Sequence, residues 1–329
     1  MAPSVTVLMS VYNGERWLSE SIQSVLDQTF ADFEFIIVND GSIDQSLQII
    51  NQYAEQDLRV RLFDKPNTGL ADSLNYGIAR AKGVWIARQD ADDVSEPDRL
   101  RKQWEFAQSI HGVVLIGSGF VLMEEEGKVG RKYTLPRNHM RLKRWLISGK
   151  RFFPHSSAFF NRDIVQKIGG YRPRIQRAQD RDLWLRLVES GTVVCVDETL
   201  VKIRRHAKQI SHDEDGYRQF LYSNVAMVSY WLRRLAVLDP VEEDERTFND
   251  FIQWINEECH KKKLFELVQD TKALKRELSS GWSSASHVVA MIMHGRILSI
   301  MRVIWTRYFR SELSKSLAKK YIATRRKAL

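Results

Sequence analysis

The chain predicts an α/β fold, a mostly parallel sheet covered on both faces, continued by an all-helical C-terminal region. Two observations carry this expectation. Within the first 112 residues, four apolar strand-like runs each precede a segment of helical periodicity, and alternation of that kind builds parallel sheets. From Asp213 onward the strand-like alternation stops and long helical patterns replace it.

Residues 5–11, apolar and β-branched, form the first expected strand, followed by the Asn13-Gly14 turn and by Trp17, Leu18, Ile22, Val25 and Leu26 at helical spacing. The unit recurs as strand 33–38 with helix 43–53, strand 60–63 with helix 70–81, and strand 84–87 with helix 97–108. A later strand is expected at 199–203. Leu183, Trp184, Leu185 and Leu187 read as core. Helices are expected at 217–238, 248–260, 264–278 and 284–308, with a final basic helix; Asp239-Pro240 and Ser279-Ser280-Gly281 mark breaks.

The 329 residues are 43% hydrophobic, enough for a sizeable core. Cys195 and Cys259 are too few and too far apart for a disulfide framework or a zinc site, which points to a reducing, cytoplasmic setting. The apolar run at 5–9 lacks a basic leader and a small-residue cleavage site, so it reads as a strand rather than a signal peptide. Net charge is +9, and residues 296–329, with ten Lys/Arg against the single acid Glu312, account for all of it.

Ligands of parallel sheets bind beyond the carboxyl ends of the strands. Three polar stretches lie at such ends: 10–13, 39–42 and 90–93. The last, Asp90-Ala91-Asp92-Asp93, follows an apolar strand directly and suits a hard divalent cation shared with phosphate oxygens. A metal-dependent enzyme acting on a nucleotide or nucleotide-sugar is the resulting expectation. Tyr12 offers a ring for a base or ribose, or is an ordinary half-buried aromatic. Asn39-Asp40-Gly41-Ser42 offers a carboxylate and a tight turn to a nucleoside, or caps the next helix.

Four motifs lie in register: Ser10-Val11-Tyr12-Asn13-Gly14, Val38-Asn39-Asp40-Gly41-Ser42, Asn67-Thr68-Gly69-Leu70 with Asn75 and Gly77-Ile78-Ala79, and Asp90-Ala91-Asp92-Asp93 through Pro97-Asp98-Arg99-Leu100. In residues and spacing they resemble family 2 glycosyltransferases of the GT-A fold, a Rossmann-like nucleotide-diphospho-sugar transferase architecture. The resemblance continues through Pro154-His155-Ser156-Ser157, Gly169-Gly170-Tyr171, the stretch from Gln179 to Arg186, and Arg205-His206 with Gln209-Ile210-Ser211. It spans about residues 4–212. The implied division is a catalytic domain at 1–212, with a nucleotide-sugar half at 1–112 and an acceptor half at 113–212, and a helical region at 213–329.

The resemblance implies roles. Asp40 hydrogen-bonds a pyrimidine base with Tyr12 packed against it, Asp90 contacts the ribose, and Asp92 ligates Mn²⁺ or Mg²⁺ bridging the diphosphate of a UDP-sugar. His206 is a further metal ligand, or with Arg205 a contact to the diphosphate, or purely structural. Asp180 is the general base that activates the acceptor hydroxyl for an inverting transfer. The family Glu ahead of it is Gln179 here, which puts in question any acceptor contact or tuning that the Glu supplies. Asp182 is a substitute base, or favours the start of the following helix. Asp93 contacts acceptor or metal-bound water, or caps its loop. His155 orders the acceptor loop.

In the 284–308 segment and just past it, Arg296, Ser299, Arg302, Thr306, Arg307 and Arg310 share one face and Ile, Leu, Met, Trp and Phe side chains fill the other. Such a helix suits an anionic membrane surface, or packs on the catalytic domain with a solvated basic face; two arginines within the run argue against a spanning helix. The whole describes an inverting glycosyltransferase placing a sugar on a lipid-linked or polymeric glycan acceptor at the inner face of the plasma membrane, in bacterial surface polysaccharide or lipopolysaccharide synthesis, with no nucleic acid partner. The rivals are a sugar nucleotidylyltransferase, for which the turn after the first strand is a poor phosphate loop, and a catalytically impaired glycan-binding scaffold.

Overall fold

The computed structural model describes residues 2–149, 152–206, 216–266 and 312–325. The chain divides into two compact units, Met1–Leu146 with Arg151–His212, and Ile147–Lys150 with Asp213–Leu329.

The first unit is built on a nine-stranded sheet. Its opening half runs β1 (Val5–Val11), α1 (Glu15–Leu26), β2 (Phe33–Asp40), α2 (Ser46–Gln56), β3 (Val60–Lys65), α3 (Leu70–Arg80), β4 (Trp85–Asp90), β5 (Val94–Ser95) and α4 (Arg99–Ser109). The second half adds β6 (Val113–Met123), β7 (Val129–Tyr133), α5 (His139–Ile147), a 3-10 turn (His155–Ser157), β8 (Phe159–Asn161), α6 (Arg162–Lys167), α7 (Gln179–Ser190) and β9 (Thr192–Arg204). Strand order is β3-β2-β1-β4-β8-β6-β9-β5, with β7 beside β6. The first four strands in this order are mutually parallel. β8, β7 and β5 run against their neighbours.

Alternation decides the two faces. Val5, Val7, Met9 and Val11 join Leu18, Ile22 and Val25 in one buried cluster, while Leu8 points to the opposite face, where α3 lies so close that a Cβ on Gly77 would come within 2.2 Å of Leu8 Cδ1. Successive strand order reverses between β1 and β4, so the polar ends of β1, β2 and β4 face one crevice.

Boundaries differ from expectation where local hydrogen bonds intervene. α2 starts at Ser46 rather than residue 43, because Asp44 Oδ1 accepts from Ser46 N–H and leaves Ile43 outside the helix, 89% exposed. β4 starts at Trp85 and leaves Val84 half exposed, but continues to Asp90, so the first acidic residue belongs to the strand itself. The two-residue β5, absent from the expectation, pairs with Val201 and Lys202 of β9.

In the second unit α8 (Tyr217–Arg234) and α9 (Glu245–Lys261) take the place of the expected helices at 217–238 and 248–260. α9 begins earlier because Asp244 caps it, its carboxylate accepting from Thr247 N–H. Residues 312–325 are helical, with Tyr321 against Phe251 and Trp254 and Lys320 paired with Glu258. Most of the 264–278 expectation, the 284–308 segment and Gln209-Ile210-Ser211 lie outside the described residues. Among the described residues no helix is long and apolar enough to cross a membrane.

Candidate functional site

The crevice is assembled from turns that interlock. Asn13, at φ 52°, accepts at Oδ1 from Ile43 N–H and donates its own N–H to Ser42 Oγ, which joins the turns after β1 and β2. Gly41 needs its positive φ of 69°, and a Cβ there would stand 2.7 Å from Asn67 N. That close approach brings the 66–69 loop over Asp40. Asp40 Oδ1 accepts from Thr68 N–H at 2.9 Å and Oδ2 from Gly69 N–H at 2.9 Å, and Lys65 forms an ion pair with it. These hydrogen bonds and the Lys65 cation outweigh the cost of burial and hold the Asp40 carboxyl below its usual range. Tyr12, one residue beyond the Val11–Asn39 pair of the β1–β2 ladder, is 54% exposed beside it.

At the end of β4, Ser156 Oγ lies 2.6 Å from Asp90 Oδ2 and also contacts Asp93 Oδ2. One hydroxyl hydrogen cannot serve two carboxylates. Burial, with the charges of Asp92 and Asp90, pushes Asp93 well above the ordinary value, so a proton is held more readily at Asp93 than at Asp90. For Asp90 burial acts upward but is outweighed by the Arg88 cation, then His155 and Ser156, and the carboxyl stays low. Asp93 Oδ1 also accepts from Arg204 N–H at 2.9 Å. Asp93 is thus bonded both to Ser156 and to the end of β9.

Arg204, almost wholly buried, donates from Nε to the Asp92 carbonyl and from Nη1 to the Glu125 carbonyl, and pairs with Glu20. It ties the end of β9 to the acidic loop and delivers His206 to Asp92: His206 Nε2 stands 2.8 Å from Asp92 Oδ2. Trp17 packs against the His206 ring, the two tilted by 38° with centroids 4.2 Å apart. The Arg205 side chain is exposed, and its N–H is spent on the Met123 carbonyl.

A carboxylate oxygen facing an imidazole nitrogen fits Mn²⁺ or Mg²⁺ as a partial donor set, and His206 Nδ1 is buried without a partner. Among the described residues no cluster supplies three or more ligating side chains, which agrees with the habit of such ions of keeping waters and phosphate oxygens in their shells.

Asp180 lies in the first turn of α7, which Ala178 opens in the left-handed region at φ 56°. That geometry costs a non-glycine residue about 1–2 kcal/mol, and such strain concentrates at functional sites. Burial raises the Asp180 carboxyl above its ordinary value and the Asp90 charge adds to this, against the Arg181 cation. Gln179 turns its amide back onto the Gln176 carbonyl at 2.8 Å. Asp182, expected as a substitute base, is 1% exposed and held between Arg172 and Arg186. Its carboxylate is committed to anchoring α7 on the Gly169–Arg172 turn and is not free to take a proton. His155 Nε2 lies 2.6 Å from the Tyr171 hydroxyl and its ring meets Trp184 edge-on.

Five contributors carried no role in the sequence reading: Lys65, Arg88, Arg99, Ser156 and Arg204. Ser156 and Arg99 lie within the motifs, and their positions beside Asp90 and the acidic loop were the available signal. Arg99 is fully buried and donates to the Arg88 and Ala158 carbonyls and to Gln89 Oε1 and Ser95 Oγ beneath the acidic loop.

Residues 6–169 match the family described as Glycosyl transferase family 2. The chain is 36% identical over 246 residues to the putative glycosyltransferase EpsE of Bacillus subtilis (strain 168), covering 71% of this chain and 84% of that protein. It is 29% identical over 259 residues to the O-antigen biosynthesis glycosyltransferase WbnJ of Escherichia coli, covering 78% of this chain and 95% of that one. In fold it is similar to residues 1–349 of S. aureus TarS, with a TM-score of 0.57 at 14% identity over 98% of this chain and 92% of the other. The mannosyltransferase PcManGT of Pyrobaculum calidifontis, solved with GDP-Man and Mn²⁺, gives a TM-score of 0.55 at 15% identity over 96% of this chain and 87% of that one. With the GT-A-type sheet and its carboxylate-lined crevice, these similarities place the chain in glycosyl transferase family 2, as an enzyme that transfers a sugar from a nucleotide-sugar donor to an acceptor.

Proposed function

We propose that the enzyme is an inverting, metal-dependent transferase that takes its sugar from a uridine diphosphate donor and places it on a hydroxyl of a lipid-linked or polymeric glycan in cell-surface polysaccharide synthesis. The observation that carries the reading is the convergence, beyond the carboxyl end of β4, of the facing Asp92 and His206 with the ionised Asp90 and the partly buried Asp180. Asp92 and His206 would hold the Mn²⁺ or Mg²⁺ ion, which when bound would offset negative charge on the diphosphate. Asp90, fixed by Arg88 and Ser156, receives the ribose, while Tyr12 and Asp40 receive the base. Asp180 takes the proton from the acceptor hydroxyl as that oxygen attacks the anomeric carbon opposite the leaving group; its raised affinity for a proton suits the task.

The O-antigen role in the name of WbnJ supports a surface-glycan setting. The structures of TarS with UDP-GlcNAc and of PcManGT with GDP-Man and Mn²⁺ support a nucleotide-sugar donor. The arginine-rich 296–310 segment supports attachment to the inner face of the plasma membrane. Calorimetric titration of UDP, GDP, CDP and dTDP, with and without Mn²⁺, tests the reading. Mn²⁺-dependent binding of one nucleotide, lost in Asp92→Asn, is expected; absence of binding by all four overturns it.

A further inference from the structure

His206 stands two residues beyond the end of β9. The main chain there is fixed: Arg205 N–H donates to the Met123 carbonyl at 2.8 Å, and the Arg204 side chain bonds the Asp92 and Glu125 carbonyls. The imidazole can still turn about its bond to Cβ. The lone pair that meets a cation lies in the ring plane, so the orientation of the ring decides whether the cation is met. Ligating histidines ordinarily have the second ring nitrogen hydrogen-bonded, which sets that orientation. His206 lacks this device: Nε2 faces Asp92 Oδ2 at 2.8 Å, while among the described residues Nδ1 is buried without a partner.

Trp17 lies against the ring instead, the indole and imidazole centres 4.2 Å apart and their planes tilted by 38°. An edge-on arrangement needs about 4.5 Å or more between ring centres, so an indole this close opposes the quarter-turn that would swing Nε2 off Asp92. Trp17 is itself held. It lies in the first turn of α1, whose start is pinned to the segment that opens α2, Gly14 N–H donating to Ser46 Oγ at 2.9 Å and Glu15 N–H to Asp44 Oδ2 at 3.1 Å. The guanidinium carbons of Arg16 and Arg204 stand 4.7 and 5.6 Å from the centre of the indole, and Arg16 is in turn paired with Glu125.

We infer that Trp17 is a positioning residue: it keeps the His206 imidazole turned with Nε2 toward Asp92, in place of the hydrogen bond that Nδ1 lacks, and thereby raises the affinity of the pair for a hard divalent cation. The inference rests on the reading of Asp92 and His206 as the metal-binding pair. Loss of an outer contact that orients a ligating histidine costs about 10- to 100-fold in metal affinity.

The test is the Mn²⁺ affinity of the full chain, with the metal alone, read by electron paramagnetic resonance for the unmodified protein, Trp17→Leu, Trp17→Phe, His206→Ala and the double variant Trp17→Leu with His206→Ala. Trp17→Leu is expected to weaken binding by about tenfold or more, and Trp17→Phe, which keeps a ring against the imidazole, to stay within about threefold. A residue that acts through His206 has nothing left to act on once that ring is gone, so Trp17→Leu should change affinity by less than about twofold in the His206→Ala background. Equal losses in the two backgrounds overturn the inference, as does a folded Trp17→Leu with unchanged affinity; in either case a weakened His206→Ala leaves the metal-pair reading standing. Unchanged affinity in His206→Ala overturns that reading and the inference with it. Should Trp17→Leu fail to fold, as judged by far-UV dichroism, Trp17→Met takes its place with the same expected loss.

Discussion

Asn75 in α3 grips both main-chain groups of Tyr171, ninety-six positions later: its Nδ2 donates to the Tyr171 carbonyl at 2.7 Å and its Oδ1 accepts from Tyr171 N–H at 2.8 Å. Gly170 makes the contact possible, since at φ 65° it has no Cβ, and one there would stand 2.4 Å from Asn75 Oδ1. Tyr171 then meets His155, and the same turn is held by Arg172–Asp182 and by Arg186 donating to the Gly170 carbonyl. Through this turn a helix of the nucleotide-sugar half fixes the helix that carries Asp180. Asn75→Ala is expected to lower transfer by about tenfold or more while leaving nucleotide affinity within about twofold, and to cost about 2 kcal/mol of stability for two lost hydrogen bonds. Kinetics with saturating donor, beside a denaturant titration, check this; an unchanged kcat would mean the contact serves stability alone.

Asp180→Asn should lower transfer by about 100- to 10,000-fold with nucleotide affinity preserved. The base must be ionised to act, so transfer rises with pH through the Asp180 pKa. Because burial and the Asp90 charge raise that pKa against the Arg181 cation, the rise should centre above the ordinary carboxylate value of 3.8. A pH–rate profile of kcat/KM measures it, and retention of full activity in Asp180→Asn would reassign the base.

Asp92→Asn and His206→Ala are each expected to weaken Mn²⁺-dependent nucleotide binding by about tenfold or more, while binding without metal changes little. Manganese titration followed by electron paramagnetic resonance reads metal affinity independently of activity. Equal Mn²⁺ affinity in His206→Ala would limit that residue to its packing against Trp17.

Burial, reinforced by the Arg88 cation and opposed by Asp90, lowers His155 from 6.5 to about 3. The unfolded chain therefore binds a proton at this position that the folded chain refuses. The resulting stability is complete above pH 6.5 and is lost progressively as pH falls toward 3. His155→Gln should flatten the pH dependence of the unfolding midpoint across that window relative to the unmodified protein. Parallel curves for the two proteins would contradict the assignment.

The basic C-terminal charges divide into two groups. Lys320 and Arg325 are engaged with Glu258 and Glu243, and Lys315 lies over Trp231, so these cations are committed within the second unit. Deleting the C-terminus would also strip Tyr321 from Phe251 and Trp254. The informative variant is Arg296, Arg302, Arg307 and Arg310 all changed to Gln. Loss of co-sedimentation with anionic vesicles, with transfer to a soluble acceptor maintained, is expected; undiminished sedimentation would remove the membrane proposal.

Periodicity and strand-end chemistry were legible in the chain itself. A run such as Val5–Val11 sets Leu8 on the face opposite Val5, Val7, Met9 and Val11 and is buried on both, as a sheet covered on both sides allows, and the polar residues that end β1, β2 and β4 are out of place unless they line a crevice. The motifs around Tyr12, Asp40, Asp92 and His206 could be read for the same reason: each is local, and its spacing survives in one dimension. What tertiary structure alone decided is the partner of each charge. Asp180 and Asp182 are both acidic residues in the first turn of one helix, yet Asp182 is locked between Arg172 and Arg186 while Asp180 stays available. Lys65 meets Asp40 because β2 and β3 pair in one particular register, and Ser156 separates Asp90 from Asp93 because β8 enters beside β4 in reverse. Residue type and period specify a face. The energy of a charge depends on which group lies within a few ångströms of it and how much water is excluded, and that is set only when distant segments pack.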